Sequence, residues 1–300
     1  MHSCTAPNLS VEKFLIIYII LVVRIGIFYF TGTGNTEFIV RELKIIFDTK
    51  HTTEIYNIET LPKNLEFLQL NQYDMLVFGA PVYGFNAPRI FIKFLQRLPE
   101  SRAKPTVLFL NAAGEALAAL NYPSSILHQK GYEITNRTIY YLPSNIFLKK
   151  REHENLIFEL FGLSGKQNIN TMFAACRTQI KQTAEMILRG ETYAAPTRFW
   201  KLIISELFRP VFYISTALHM KYFMYANKNC NQCGICIKAC PTNNISMSMH
   251  RVTFGTLCTV CYRCVNICPG LAIHLRPPFG FLDNRVQYLA PGWKPPLPNQ

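Results

Sequence analysis

The sequence predicts an α/β fold in which a doubly wound parallel sheet is followed by a small, cysteine-rich α+β domain. Strand-like and helical segments alternate through the first two thirds of the 300-residue chain, as in parallel sheets covered by helices. Hydrophobic residues make up 49% of the chain, enough to bury a sizeable core. Eight of the ten cysteines lie between Cys230 and Cys268, which indicates metal or redox chemistry in a reducing compartment.

The alternation can be followed segment by segment. Strand-like runs are predicted at Ile25–Phe30, Glu54–Ile58, Asp74–Gly79, Thr106–Asn111 and Tyr132–Leu142. Helices are predicted at about 35–47, 88–98, 116–129 and 169–189, and Gly190 is a plausible stop for the last of them.

The first predicted strand leads into a loop rich in glycine and hydroxyl groups, and a helix follows. The loop consists of Thr31, Gly32, Thr33, Gly34, Asn35 and Thr36. A strand–turn–helix presents unpaired N–H groups and a positive dipole end to a phosphate, and glycines permit close approach. No lysine follows and position 37 is Glu, so neither a Walker A loop nor a dinucleotide fingerprint is present. The neutral donors suit a monophosphate, and a plain helix cap is the alternative.

This loop resembles the phosphate loop of flavodoxins. The resemblance implies a flavodoxin-like fold with FMN at the carboxyl ends of the strands. Two further loops are expected to complete the FMN site: Pro81, Val82, Tyr83 and Gly84 after the third strand, and Asn111, Ala112, Ala113 and Gly114 after the fourth. Tyr83 is the expected stacking partner of the flavin, with Phe85 as alternative, and either ring could instead plug the sheet end.

The cysteines form two runs that repeat with a period of 28 residues. Each run has the spacing Cys-x2-Cys-x2-Cys-x3-Cys-Pro, in which three thiolates wrap one cubane and the fourth reaches the other. One [4Fe–4S] cluster is therefore expected on Cys230, Cys233, Cys236 and Cys268, and a second on Cys240, Cys258, Cys261 and Cys264. Zinc, the alternative, does not explain two four-cysteine runs. The repeat resembles the bacterial two-cluster ferredoxin domain.

Together the two halves resemble fusion proteins of a flavodoxin-like domain and a ferredoxin domain. The boundaries expected are an apolar extension (1–23), the FMN domain (24–195), a helical bridge (196–225), the two-cluster domain (226–275) and a Pro-rich tail (276–300). In the bridge, Pro210 is predicted to separate two short helices that pack between the domains, and a membrane-surface helix is the alternative. The tail is expected to be extended, wrapping the surface or staying mobile.

Two functions follow from this build. The first is electron transfer between a redox protein partner, the clusters and FMN, and the second is FMN-dependent reduction of a specific small molecule. Whether the chain is an enzyme stays open, since no catalytic acid–base or nucleophile group is evident. A nucleic-acid module has only the net charge of +13 to support it, so no nucleic-acid partner is expected.

The positive charge is concentrated in the second half of the chain. Residues 1–144 carry +2, residues 145–225 carry +5 and residues 226–300 carry +6. Part of this excess compensates the charge of the clusters, and the bridge and tail remain basic, which favours an acidic partner or an anionic membrane. The apolar run Phe14–Val23 is short for a membrane-spanning helix. Three interpretations stay open: an additional apolar arm, a peripheral membrane contact or a membrane anchor. The expected location is cytoplasmic, and the oligomeric state is not predictable.

Overall fold

The first part of the chain is a six-stranded, fully parallel sheet. The computed structural model describes residues 22–62, 69–146, 168–276 and 287–296, so most of the N-terminal extension and Cys4 lie outside the described residues. The strands are β1 Arg24–Tyr29, β2 Thr52–Asn57, β3 Met75–Pro81, β4 Lys104–Ala112, β5 Tyr132–Tyr141 and β6 Tyr193–Ala194. Their order in the sheet is β2-β1-β3-β4-β5-β6. The doubly wound α/β prediction is confirmed, and only the two-residue β6 was missed.

Four helices of the described residues cover the two faces of this sheet. They are α1 Asn35–Phe47, α2 Arg89–Arg97, α3 Asn121–Gln129 and α4 Ile169–Leu188, and a short 3-10 turn spans Leu70–Gln72. Successive residues of β1 point to opposite faces, so Ile27 joins the core under α1 and α4, while Phe28 joins the core under α2 and α3. Burial on both faces explains why the central strands are continuous apolar runs.

The strand order places a crevice at one edge of the sheet. The chain moves outward from β1 to β2 and then returns to β3 on the other side of β1, which makes a topological switch point. In such sheets ligands bind outside the carboxyl ends of the strands at this point. The loops that follow β1, β3 and β4 therefore converge there.

The bridge is one helix, and the prediction of two short helices was wrong. Helix α5, Phe199–Phe223, continues through Pro210. A proline inside a helix removes one hydrogen bond and costs about 3 kcal/mol. Tertiary contacts hold the helix on both sides of the proline: Lys201 Nζ lies 2.8 Å from Glu115 Oε2, and the Tyr213 hydroxyl donates to the backbone before α2 at 2.6 Å. The rule that proline ends a helix considers only the neighbouring residues and does not include such tertiary contacts.

One face of α5 exposes large apolar side chains to solvent. Their exposed fractions lie between 49% and 75%, and they are Phe199, Trp200, Ile203, Leu207, Val211, Ile214 and Tyr222. Within the described ranges, none of the helices combines the length and hydrophobicity that crossing a membrane requires.

The cysteine-rich part is a small α+β unit. Strand β7, Met224–Ala226, pairs antiparallel with β10, Ile273–Leu275, and β8, Ile245–Ser248, pairs antiparallel with β9, Arg251–Phe254. One short helix lies in each cysteine run: α6, Ile235–Lys238, and α7, Arg263–Asn266. This agrees with the predicted small α+β unit after the sheet.

Candidate functional site

The loops at the carboxyl edge of the sheet enclose a cavity of about 260 Å³. It is lined by all but one of the cofactor-binding residues that the sequence predicts: Thr31, Gly32, Thr33, Asn35, Thr36, Pro81, Val82, Tyr83, Gly84, Asn111, Ala112, Ala113 and Gly114. The exception is Gly34, which packs against Trp293 instead.

The glycine loop is held in place by its own polar side chains. Gly34 has a φ of +102°, a left-handed conformation that favours glycine, and its N–H donates to Thr31 Oγ1 at 3.0 Å. Thr36 Oγ1 donates to Asn111 Oδ1 at 2.6 Å, which links this loop to the loop after β4. The Asn35 amide donates to the Pro143 carbonyl at 2.8 Å, which links it to the loop after β5.

The donors around the cavity fit a phosphate group held by neutral groups. Helix α1 starts at Asn35, so the first N–H groups of this helix have no helical acceptor. A Cβ at Gly32 would clash with the Tyr83 hydroxyl and lie 3.0 Å from the Cys261 carbonyl, so only glycine fits there. No lysine or arginine lines the cavity, and Glu115 is the one charged lining residue among those described.

Aromatic side chains form part of the cavity wall. Tyr83 and Phe85, the two stacking candidates, both line it, and Phe85 has a φ of +64°. Burial raises the pKa of Tyr83 well above its ordinary value, so its hydroxyl is neutral. Tyr262 is a third lining aromatic and comes from the second cysteine run.

Sequence reasoning missed two segments of the cavity wall. The loop after β5 contributes Pro143, Ser144, Asn145 and Ile146, and the second cysteine run contributes Val260 and Tyr262. The first segment could have been found, because a loop after any parallel strand lies at the same edge as the others. The second is joined to the cavity only by tertiary contacts, such as that from the Asn145 amide to the Cys261 carbonyl at 2.8 Å.

The eight cysteines fall into two groups of four, each around its own small cavity. The outer quartet is Cys230, Cys233, Cys236 and Cys268, and the inner quartet is Cys240, Cys258, Cys261 and Cys264. None of the eight forms a disulfide. The spacing assigns the same two sets of four to two cubanes, and the binding of clusters there stays a prediction.

Backbone N–H groups point at sulfur atoms in both quartets. Asn244 donates to Cys240 Sγ at 3.2 Å, and Ala272 donates to Cys268 Sγ at 3.3 Å. Hydrogen bonds to cysteine sulfur are one of the ways a protein tunes an iron–sulfur cluster. In the part of the chain that the structure describes, no three His, Cys, Asp or Glu side chains are grouped as a single metal ion would need. A zinc ion holds each of its ligand atoms within about 2.3 Å of the metal. A cubane binds one thiolate at each of its four irons, so its four sulfur atoms lie farther apart.

The two quartets differ in exposure. Cys233 of the outer quartet is exposed, whereas Cys261 of the inner quartet is buried against the wall of the cavity at the sheet edge. Burial raises the pKa of Cys258 to about 12 and that of Cys261 to about 11. These thiols therefore keep their protons at neutral pH unless a metal cation displaces them.

The described part of the Pro-rich tail lies against the glycine loop. The Ala290 N–H donates to the Thr33 carbonyl at 2.8 Å, and the Trp293 indole N–H donates to Glu37 Oε2 at 3.1 Å. Trp293 is 6% exposed. The described part of the tail thus packs against the glycine loop.

Family models match two parts of the chain. A flavodoxin domain model matches residues 26–137, and a 4Fe-4S dicluster domain model matches residues 223–270. No curated protein matches the chain.

Several solved structures are similar to the sheet-forming part. The Flv1 flavodiiron core of Synechocystis sp. PCC6803 is 13% identical, with a TM-score of 0.37, over 57% of this chain and 37% of that one. Rubredoxin oxygen:oxidoreductase of Desulfovibrio gigas is 16% identical, with a TM-score of 0.33, over 53% and 36%. Oxidised flavodoxin 2 of Bacillus cereus is 21% identical, with a TM-score of 0.37, over 54% and 98%. This chain spans little more than a third of the first two, and the TM-scores are too low for a functional comparison.

Proposed function

We propose that this chain, in which a flavodoxin domain is joined to a 4Fe-4S dicluster domain, transfers electrons between a redox protein partner, two [4Fe–4S] clusters and FMN. When bound, FMN supplies exchange between two-electron and one-electron steps, and each cubane passes one electron at a time. The positions of residues around the three cavities support their assignment to the three cofactors.

In this proposal the glycine loop Thr31–Thr36 holds the FMN phosphate. The loops 81–84 and 111–114 flank the flavin ring, and Tyr83 contributes the aromatic wall. The outer and inner quartets each hold one cluster.

The observation that carries the proposal is a shared wall. Val260 and Tyr262 line both the inner-quartet cavity and the cavity at the carboxyl edge of the sheet. A cluster on the inner quartet would therefore be the neighbour of the flavin, and a cluster on the outer quartet would be the one nearer solvent. This arrangement supports a relay with its protein-facing end at the exposed Cys233.

The charge around the outer quartet supports an acidic redox partner. Residues 226–275 contain no Asp or Glu, and Lys228 and Lys238 are exposed on either side of the first three outer cysteines. Opposite charges steer two proteins together and fix their orientation.

Anaerobic purification followed by iron, acid-labile sulfide and flavin analysis tests the cofactor assignment. About eight iron, eight sulfide and one FMN per chain are expected for two cubanes and one flavin. Stoichiometric zinc in place of iron, or a preparation that neither contains nor takes up FMN, would contradict it.

Reduction of a specific small molecule at FMN is the second candidate. The loop Ala112–Gly114 carries no aromatic side chain, so this loop supplies no ring to stack on the flavin. Steady turnover of a small acceptor by the isolated protein would favour this function. Flavin reduction that occurs only with a protein donor would favour the relay.

A further inference from the structure

Arg263 belongs to the second cysteine run but directs its side chain into the flavodoxin domain. It lies between Cys261 and Cys264, and it is 1% exposed. A buried arginine needs both a counter-charge and acceptors for its five N–H groups.

The structure gives the Arg263 guanidinium a complete set of partners. Nη1 and Nη2 donate to the two carboxylate oxygens of Glu59 at 2.6 and 2.5 Å, and Nη1 also donates to the Ala239 carbonyl at 3.0 Å. Nε donates to the Gly32 carbonyl at 2.9 Å, and Nη2 donates to the Thr31 carbonyl at 2.6 Å. Glu59 balances the charge, and two of the five hydrogen bonds end on the glycine loop.

Holding these two carbonyls determines the direction of the next two N–H groups. In a trans peptide the C=O of one residue and the N–H of the following residue point to opposite sides. With the carbonyls of Thr31 and Gly32 turned towards Arg263, the N–H groups of Gly32 and Thr33 point away from it. No described residue accepts a hydrogen bond from either N–H group, and both residues line the cavity.

We propose that Arg263, held by Glu59, is a positioning residue that turns the N–H groups of the glycine loop towards the FMN phosphate. The idea rests on the proposed function, because it concerns the phosphate end of the same cavity. Since Glu59 neutralises the guanidinium, the effect comes from the orientation of the peptide groups rather than from net positive charge. Cys261 and Cys264 flank Arg263, so the same residue connects the second cysteine run to the proposed phosphate site.

The test compares FMN with riboflavin, which lacks the phosphate, on the full cluster-loaded chain after removal of bound flavin. Arg263→Lys keeps the charge but supplies fewer donors from a single point. FMN affinity should fall about tenfold to a hundredfold, the range expected for one or two lost hydrogen bonds near an anion, while riboflavin affinity changes less than about threefold. Arg251→Lys, on an exposed arginine of the same domain, should change neither affinity.

The possible outcomes separate this inference from the proposed function. If the unaltered chain binds no FMN, the proposed function fails and the positioning role with it. If it binds FMN more tightly than riboflavin and Arg263→Lys leaves that ratio unchanged, only the positioning role fails. An equal loss for both flavins would mean that Arg263 merely clamps the domains together. The double variant Arg263→Gln/Glu59→Gln, which removes both charges together and so tests orientation without a change in net charge, should reproduce the selective loss, and it replaces Arg263→Lys if that variant does not retain its iron.

Discussion

The two cysteine quartets come from the same repeat but lie in different surroundings. With the period of 28 residues, Gly234 and Ile235 of the first run correspond to Tyr262 and Arg263 of the second. Gly234 has open space around it, with no atom within 4 Å of the position that a Cβ would occupy, whereas Tyr262 and Arg263 are 4% and 1% exposed against the flavodoxin domain. The runs therefore share the cysteines proposed to hold a cluster and differ at two residues, of which Tyr262 lines the cavity at the carboxyl edge of the sheet.

Backbone conformation sharpens the comparison. Gly234 and Tyr262 both precede a short helix in the left-handed conformation, with φ values of +72° and +53°. This conformation suits glycine, and it costs a residue with a Cβ about 1 kcal/mol or more. The second run carries a strained tyrosine where the first carries glycine, which is understandable if the ring is needed at the cavity wall.

Removing one equivalent cysteine from each quartet should have the largest effect. Cys264→Ser and Cys236→Ser occupy matching positions in the repeat, and each should lose about four iron per chain. Only Cys264→Ser should also lose FMN, because the run from 258 to 264 forms part of the cavity wall. Iron and flavin analysis of both purified proteins measures the difference. Equal flavin retention in the two variants would remove the distinction between inner and outer quartets.

Exchanging the residues at the matching left-handed positions should have a smaller effect. Tyr262→Gly relieves backbone strain but removes an aromatic wall, so FMN affinity should fall about tenfold, or about 1.4 kcal/mol. Gly234→Ala introduces the strain without touching the cavity. It should lower the stability of the cysteine-rich part by about 1 kcal/mol and leave FMN affinity unchanged. Flavin titration and thermal unfolding of both variants check this; a loss of FMN affinity in Gly234→Ala would contradict it.

Sequence reasoning succeeded where the determining pattern is local. Buried apolar runs predicted five of the six strands that the structure describes in the sheet, and the cysteine spacing predicted two sets of four, each of which lines its own small cavity. It failed where the cause lies far along the chain. Arg263 reaches Gly32 across 231 residues, and charge counting assigned it to cluster compensation although Glu59 is its direct partner. Pro210 likewise does not end α5, and contacts to distant segments hold that helix on both sides of it.

A chelator should remove iron from the two quartets at different rates. The exposed Cys233 gives a chelator access to the outer quartet, whereas the inner quartet lies under the flavodoxin domain. Iron loss from the cluster-loaded chain should therefore be biphasic, with the first half released at least about fivefold faster than the second. Cys236→Ser supplies the control, since it should retain only the slow phase. A single phase in the unaltered chain would show that the two quartets are equally accessible.

The smallest expected effect concerns the charge beside the outer quartet. Lys238→Gln removes one exposed positive charge close to Cys236, so reduction by an acidic ferredoxin used as donor should slow about twofold to threefold at low salt. The difference should disappear at high salt, because exposed charges are screened within about 10 Å at 0.1 M and within less at higher concentrations. Lys93→Gln, at an exposed position of α2 in the flavodoxin domain, is the matched control and should leave the rate unchanged. Equal slowing by both substitutions would mean that the overall charge of the chain steers the donor. It would contradict the proposal that the donor docks at the outer quartet.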